Sequence, residues 1–384
     1  MHRIALWLSS ARFLAPYLER TSGARSTLSS DIHNRTLTLS IDAMGGDRGP
    51  AVTVAGVALA VARLGRAAQF QLHGDQAAIE AELARHAAAR PFVTVYHTEK
   101  VIAGDEKPAQ ALRRGKGSSL WNAIEATRSG GADAVISAGN TGALMAISKL
   151  ILRMAGALDR PAIVASWPTR QGVTALLDAG ANISSDAAQL VEFAIMGEAF
   201  YHAVHAAPGQ RVRVGLMNVG SEDQKGHEEV REAHALLRDG GIELDYFGFV
   251  EGDDLAKGTV EVIVTDGFTG NVALKTGEGL ARFFVAELRD ALGSSLMGKV
   301  GALIAQGALK RLRQRLEPPG GGPLLGLNGV VVKAHGGGTA ERFADAIKIA
   351  ADLASSDYAA KAAANMERLA MALKSPDEAS ETVQ

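Results

Sequence analysis

Cysteine is absent from the 384 residues. Disulfides, thiolate zinc sites, iron–sulfur clusters and a cysteine nucleophile are excluded together, and the absence fits a reducing compartment. Neither sign of charge is in excess: 40 Lys and Arg stand against 42 Asp and Glu, a formal net charge of -2. A chain held on nucleic acid by bulk charge would be basic, so no nucleic-acid partner is expected. No uninterrupted apolar run reaches the ~18 residues expected of a membrane-spanning helix. At 47% hydrophobic residues the chain is too apolar for disorder. Its length suits one large domain or two ordinary ones. The informative excess is glycine, 43 residues or about 11%, against a usual ~7%.

The two ends differ from the body. Residues 1–36 hold Arg3, Arg12, Arg20, Arg25 and Arg35 but only Glu19 and Asp31 as acids, and Arg12 soon interrupts the apolar start. A signal peptide would be poorly formed, and an organelle leader is a second reading. The reading adopted is an unstructured extension or an upstream start codon. Residues 373–384 read as a polar tail.

Between the ends, short β-like runs alternate with helical segments. The runs are Leu37–Ile41, Gln69–Leu72, Phe92–Tyr96, Ala134–Ile136, Ala162–Ala165, Val173–Leu177, Val212–Met217, Val260–Val264 and Val330–Val332. Alternation of this kind predicts an α/β fold with a wound, mostly parallel sheet. Six runs end in a polar residue followed closely by glycine: Asp42–Asp47, Ser137–Gly142, Asp178–Asn182, Asn218–Asp223, Asp266–Asn271 and His335–Gly338. Ligands of open parallel sheets bind beyond the carboxyl ends of the strands, and glycine lets backbone approach them closely. Any one of these turns is explained by local geometry. All six on one side of the sheet would make a site.

Asn140, Thr141 and Gly142 run straight into one predicted helix, and Gly270 and Asn271 into another. Helix N-termini favour phosphate. No G-x-x-x-x-G-K-[ST] occurs, and no G-x-G-x-x-G follows a strand. A small anion is therefore favoured over a dinucleotide. Lys225, Lys275 and Lys333 lie near the turns as cations. For Lys275 and Lys333 an anion ligand and a plain solvated lysine remain equal readings. The nucleophile elbow G-x-S-x-G is missing. His202 and His205 share a helical face without a third ligand, so no metal site is read. His335, alone in its glycine turn, is a candidate acid, base or phosphate donor, with a structural role equally open.

These turns, in this order, resemble the PlsX family, the phosphate acyltransferases of bacterial phospholipid synthesis. The stretches are Ile41–Asp47, Ser137–Leu144, Leu177–Asn182, Val264–Asn271 and Lys333–Gly336, and the resemblance runs from about Leu39 to about Ala372. Three stretches depart: Arg48-Gly-Pro50 stands for the usual His-Ala-Pro, Gln224-Lys-Gly-His227 for Lys-Lys-Gly-Asn, and Glu251-Gly-Asp-Asp254 for Glu-Gly-Arg-Asp. The resemblance implies transfer of a fatty acyl group from acyl carrier protein to inorganic phosphate, giving acyl phosphate. It implies a Rossmann-like α/β/α sandwich over residues 37–372, a homodimer, and a cytoplasmic location at the membrane surface. No organic cofactor is implied, and a downstream glycerol-3-phosphate acyltransferase is a possible contact.

That reaction fits the residues chemically, because phosphate itself attacks the thioester and no serine or cysteine nucleophile is needed. Lys225 and Asn271 are expected as the cation and second donor for phosphate or the oxyanion, with Asn140, Thr141, Gly142, Gly270 and Lys275 around the anion. His335 is expected to bind phosphate or protonate the leaving thiolate. Asp42, Asp178 and Asp266 are expected to orient partners, since a carboxylate beside phosphate would repel it. Arg113, Arg114 and Lys116 form a basic stretch suited to an acidic carrier protein; a solvated basic face is the equal alternative. A protruding helical pair is expected over about 271–316. Leu296, Val300, Leu303 and Ile304 share one helical face beside Lys299 and the basic run Lys310–Arg315, a pattern suited to an anionic lipid interface or to packing. Two rivals from other classes are a metal- and NAD-dependent dehydrogenase and a non-catalytic lipid-binding protein.

Overall fold

The computed structural model describes residues 35–372, except residue 157 and residues 317–319. The expected extension up to residue 34, the helix break at Pro318 and Pro319, the polar tail, and the side chains of Arg313 and Arg315 lie outside the described residues. Arg35 and Thr36 already belong to the body: Arg35 pairs with Asp133, and the Thr36 hydroxyl donates to the Arg66 carbonyl at 3.4 Å.

Eleven strands form one continuous sheet. In chain order they are β1 (Leu37–Asp42), β2 (Ala68–Gly74), β3 (Val93–His97), β4 (Ala134–Ser137), β5 (Ala162–Pro168), β6 (Val173–Leu177), β7 (Arg213–Met217), β8 (Asp245–Val250), β9 (Val262–Val264), β10 (Gly321–Leu325) and β11 (Val330–Ala334). The principal helices are α1 (Pro50–Leu64), α2 (Pro108–Arg114), α3 (Ser119–Arg128), α4 (Thr141–Leu152), α5 (Ala187–Val204), α6 (Gly267–Gly293), α7 (Leu296–Ile304), α8 (Gln306–Leu316) and α9 (Ala340–Ala354). β8 and β10 carry no apolar run of the kind read as strands above. β8 is Asp-Tyr-Phe-Gly-Phe-Val and β10 is Gly-Gly-Pro-Leu-Leu. β10 forms because its neighbours on both sides supply ladder partners, not because its composition favours extension.

The spatial order is β3-β2-β1-β4-β11-β10-β5-β6-β9-β7-β8. The first five strands are mutually parallel, and so are β6, β9, β7 and β8. Between the blocks, β10 is antiparallel to both β11 and β5, and β5 is antiparallel to β6. Three reversals in a row make the second block run opposite to the first. The six glycine turns therefore do not share an edge. Those of β1, β4 and β11 leave one edge, and those of β6, β7 and β9 leave the other.

Helices cover the apolar strands. α1 and α9 pack together where Gly56 faces Phe343; a Cβ at Gly56 would sit 2.8 Å from the Phe343 ring. α1 and the residues just after it form the one described stretch apolar and long enough to cross a membrane. Its Thr53, Val54, Val57, Ala60 and Val61 are buried in the fold. The protruding segment is three helices, not the expected pair. α6 alone has 27 residues, about 40 Å at 1.5 Å per residue, and only Gly267 and Gly270 in it are buried.

Candidate active site

Five strand-end residues pair in register across the first block: Tyr96, His73, Asp42, Ser137 and Lys333. Residues opposite one another in a ladder project to the same face, so they form one polar row at the carboxyl edge. Its middle is buried, with Asp42 only 2% exposed and His73 4%. The Ser137 hydroxyl donates to Asp42 Oδ2 at 2.7 Å and accepts the Gly139 amide at 3.0 Å. Among the described residues, Asp42 Oδ1 and both His73 ring nitrogens have no hydrogen-bond partner. His73 stacks on Tyr96 with ring centroids 5.0 Å apart. Burial lowers its pKa to about 4, so it is held neutral.

Three glycine turns lock around this row. A Cβ at Gly45 would lie 2.7 Å from both Asp42 Oδ2 and the Gly139 amide nitrogen. Gly46 has φ +90° and lies against the Gly336 carbonyl, which accepts the Asp47 amide at 3.0 Å. Only glycine allows both the conformation and the approach. Arg48, where the family usually has histidine, donates to the Gly338 carbonyl at 2.9 Å. The departure thus ties the first turn to the third.

Lys333 ends the row beside Ser137. Its ammonium donates to the carbonyls of Ala138, at 3.5 Å, and Ala334. Burial lowers its pKa to about 8; Asp42 and Asp47 oppose that shift and Lys275 adds to it. Burial raises the Asp42 carboxyl, against the nearby Ser119 and Ser137 hydroxyls, the Met44 amide and the Lys333 charge. His335 is exposed, and its pKa is lowered first by burial of the ring and then by Lys275, Lys333 and Arg342, with Glu278 opposing.

α6 brings charge from the other block. Its start packs at the second edge, where Gly267 and Gly270 fit against Asp178 and Asn182. Two turns later Gly277 meets Trp167 at the end of β5, 2.2 Å from where its Cβ would be. β5 is parallel to the first block, so α6 crosses from one edge toward the other. Lys275, which pairs with Glu278 at 3.3 Å, reaches the field of Lys333 and His335 in this way. Asn271, four residues before Lys275, shares its helical face and lies beside Gly180.

The remaining expected residues take varied places. The Asn140 side chain is fully engaged: its Nδ2 donates to the carbonyls of Ala103, Gly104 and Glu106, and its Oδ1 accepts the Ala143 amide. It clasps a loop to the start of α4, where Gly142 fits against Pro108, so its side chain is not a free phosphate donor. Thr141 is exposed at the first position of α4. Asp178 accepts five N–H groups, from Ile163, Gly180, Ala181 and twice from Asn182. Asp266 caps α6 through Thr269. Lys225 is exposed after β7, at the second edge, and its carbonyl accepts from Asn218 Nδ2 at 3.1 Å. Arg113, Arg114 and Lys116 are exposed at the end of α2. His202 and His205 turn to separate partners, Glu198 and Ser166.

The family model described as "Fatty acid synthesis protein" matches residues 37–361. The chain belongs to the PlsX family of phosphate acyltransferases. Among relatives of this family, a phosphate acyltransferase of Caulobacter vibrioides is 62% identical over 349 residues, covering 90% of this chain and 96% of that one. The phosphate acyltransferase of Phenylobacterium zucineum is 58% identical, covering 88% and 96%. In fold, the chain resembles a phosphotransacetylase from Streptococcus pyogenes with a TM-score of 0.58 at 16% identity, covering 85% of this chain and 96% of that one. A branched-chain phosphotransacylase from Enterococcus faecalis gives 0.53 at 13% identity, covering 83% and 99%. The PlsX family and these neighbours share the Rossmann-like α/β architecture expected above. The dehydrogenase alternative finds no support in the family.

Proposed function

We infer that the chain is a phosphate acyltransferase that moves a fatty acyl group from acyl carrier protein to inorganic phosphate. The observation that carries this is the buried polar row at the first edge, ringed by glycine turns and faced by Lys275 from α6, in a member of this family. Inorganic phosphate is the attacking nucleophile, so the protein's work is to bind and orient the anion and to stabilise the oxyanion. Lys275, His335 and the amides at Thr141, Gly142 and the Gly336–Gly338 turn are the groups for phosphate. His335, whose pKa is depressed, suits a neutral phosphate partner better than a stored proton. Asn271, with Gly270 before it and one helical turn from Lys275 on the same face of α6, is the group for the thioester oxyanion, with Lys225 as its second cation. Loss of an oxyanion donor costs roughly 10²–10³ in kcat. Lys225→Ala and Asn271→Ala are expected to fall in that range; near-wild-type kcat/KM for both would reject these roles.

The test of the whole reading is release of carrier thiol from acyl-carrier substrate that requires phosphate and yields a hydroxylamine-trappable product. Thiol release at the same rate without phosphate would overturn it.

The carrier would dock on Arg113, Arg114 and Lys116, beside a cavity of about 330 Å³ lined by Ile102, Glu106, Gln110 and Arg114. Charge reversal at Arg113 and Arg114 is expected to raise KM for the carrier substrate; an unchanged KM would reject the dock. We assign a cytoplasmic location with peripheral membrane contact through α7, where Leu296, Val300, Leu303 and Ile304 are exposed, two of them by more than 80%. The homodimer is assigned to the exposed Leu280, Phe283 and Phe284 stripe of α6.

A further inference from the structure

We propose that Lys333 is a catalytic residue of this reaction, the acid that protonates the departing thiolate, and that Asp42 is its positioning residue. The proposal rests on the acyl-transfer reading above.

Lys333 is a partly buried cation whose described hydrogen-bond partners are backbone carbonyls and not a carboxylate. An ammonium in such a place is costly unless something else requires it. Two carbonyls account for two of its three N–H groups, leaving one for a substrate. It stands at the carboxyl edge of β11, where the three glycine turns meet and where parallel sheets bind their ligands. Across Ser137, two strands away in the same register, lies Asp42. Asp42 accepts the Ser137 hydroxyl, and its charge acts on Lys333 across that residue, which favours the protonated amine. The charges acting on Lys333 come from three elements: Asp42 on β1, Asp47 in the first turn, and Lys275 on α6.

The chemistry then balances. A hydrogen phosphate oxygen forms the C–O bond to the thioester carbon, and the C–S bond breaks with its electron pair on sulfur. The Lys333 ammonium gives that sulfur a proton, releasing free thiol. The neutral amine recovers a proton from the P–OH of the acyl phosphate, and acyl phosphate dianion leaves. Nothing is oxidised or reduced. A proton donor works best when its pKa lies near that of the group it serves. The ammonium at about 8 is close to an ordinary thiol at ~8.5. His335, whose pKa is lowered by desolvation and the nearby cations, is further from the thiol in pKa and the poorer donor.

The experiment compares two thioesters in the full-length protein: the acyl carrier substrate and an acyl aryl thioester, whose leaving thiol is acidic enough to depart without a proton. Wild type must first show phosphate-dependent turnover; its absence would defeat the acyl-transfer reading itself. In an active enzyme, Lys333→Met is expected to lose about 10²–10⁴-fold in kcat on the carrier substrate and under 10-fold on the aryl thioester. Equal loss on both substrates, or no loss, overturns the assignment. Lys333→Arg keeps the charge without a transferable proton and is expected to lose kcat while keeping KM for phosphate; full rescue by arginine also overturns it. Asp42→Asn is expected to move the basic limb of the kcat–pH profile to lower pH. Should these variants fail to fold, the wild-type profile decides alone. A fall in kcat above about pH 8 on the carrier substrate, missing on the aryl thioester, supports the role, and the same limb on both substrates rejects it.

Discussion

Asp178 accepts five N–H groups while fully buried, and this one carboxylate holds the turn against which α6 begins. Asp178→Ala would leave those donors unmet in the interior, and is expected to lower stability by about 3 kcal/mol or more, read as a shift in the urea midpoint. His73 makes an opposite kind of statement, a buried ring with no hydrogen-bond partner among the described residues. Its pKa is lowered in the folded state to about 4 against an ordinary ~6.5. The unfolded chain therefore binds the extra proton between those values. The neutral ring's contribution is complete above pH 6.5 and is lost as pH falls toward 4. Taken as the difference between wild type and His73→Phe, the effect has a ceiling of about 3 kcal/mol; parallel curves for the two proteins across that range would refute it. The sequence marks Asp178 through its glycine turn. Nothing in it marks His73, whose meaning comes only from lying in register with Asp42.

At the scale of elements, α6 is the piece on which the site depends. Asp266→Ala removes its cap and is expected to cost about 1 kcal/mol, seen as faster amide exchange in the first turn. Gly277→Ala would push a methyl into Trp167 and lift the helix from β5. We expect a larger fall in kcat/KM than in thermal stability, because most of α6 is not part of the core; equal falls would place its role in folding alone. Most strands were legible: Val173–Leu177 matches β6 residue for residue, and most other strands differ by no more than two residues at either end. Several of them, such as β4 and β9, are short apolar runs buried along their whole length. β8 and β10 were not legible, one broken by glycine and the other begun by it. Strand direction was not legible either, since a run reads the same whichever way its neighbours point. That is why six turns looked like one rim. The sequence does not single out Lys333 for the same reason: its setting depends on what stands two strands away.

For the whole molecule, the exposed α6 and α7 faces predict two separable behaviours. Phe283→Arg with Phe284→Arg is expected to yield monomers in sedimentation without changing vesicle binding. Ile304→Glu with Leu303→Glu should abolish binding to anionic vesicles, which in wild type weakens with salt; loss of both properties in either variant would reject the division. The order of the sheet has a further result for biosynthesis. Among the described strands β10 and β11 are the last to be made, yet they sit in the centre, pairing with β4 on one side and β5 on the other. Until Gly321–Ala334 clear the ribosome, the nascent chain holds two blocks with raw inner margins, each a template for pairing with other polypeptides. A product ending at Leu316 should therefore aggregate where the full chain does not, and translation pauses within the α6–α8 segment should lengthen its dependence on chaperones.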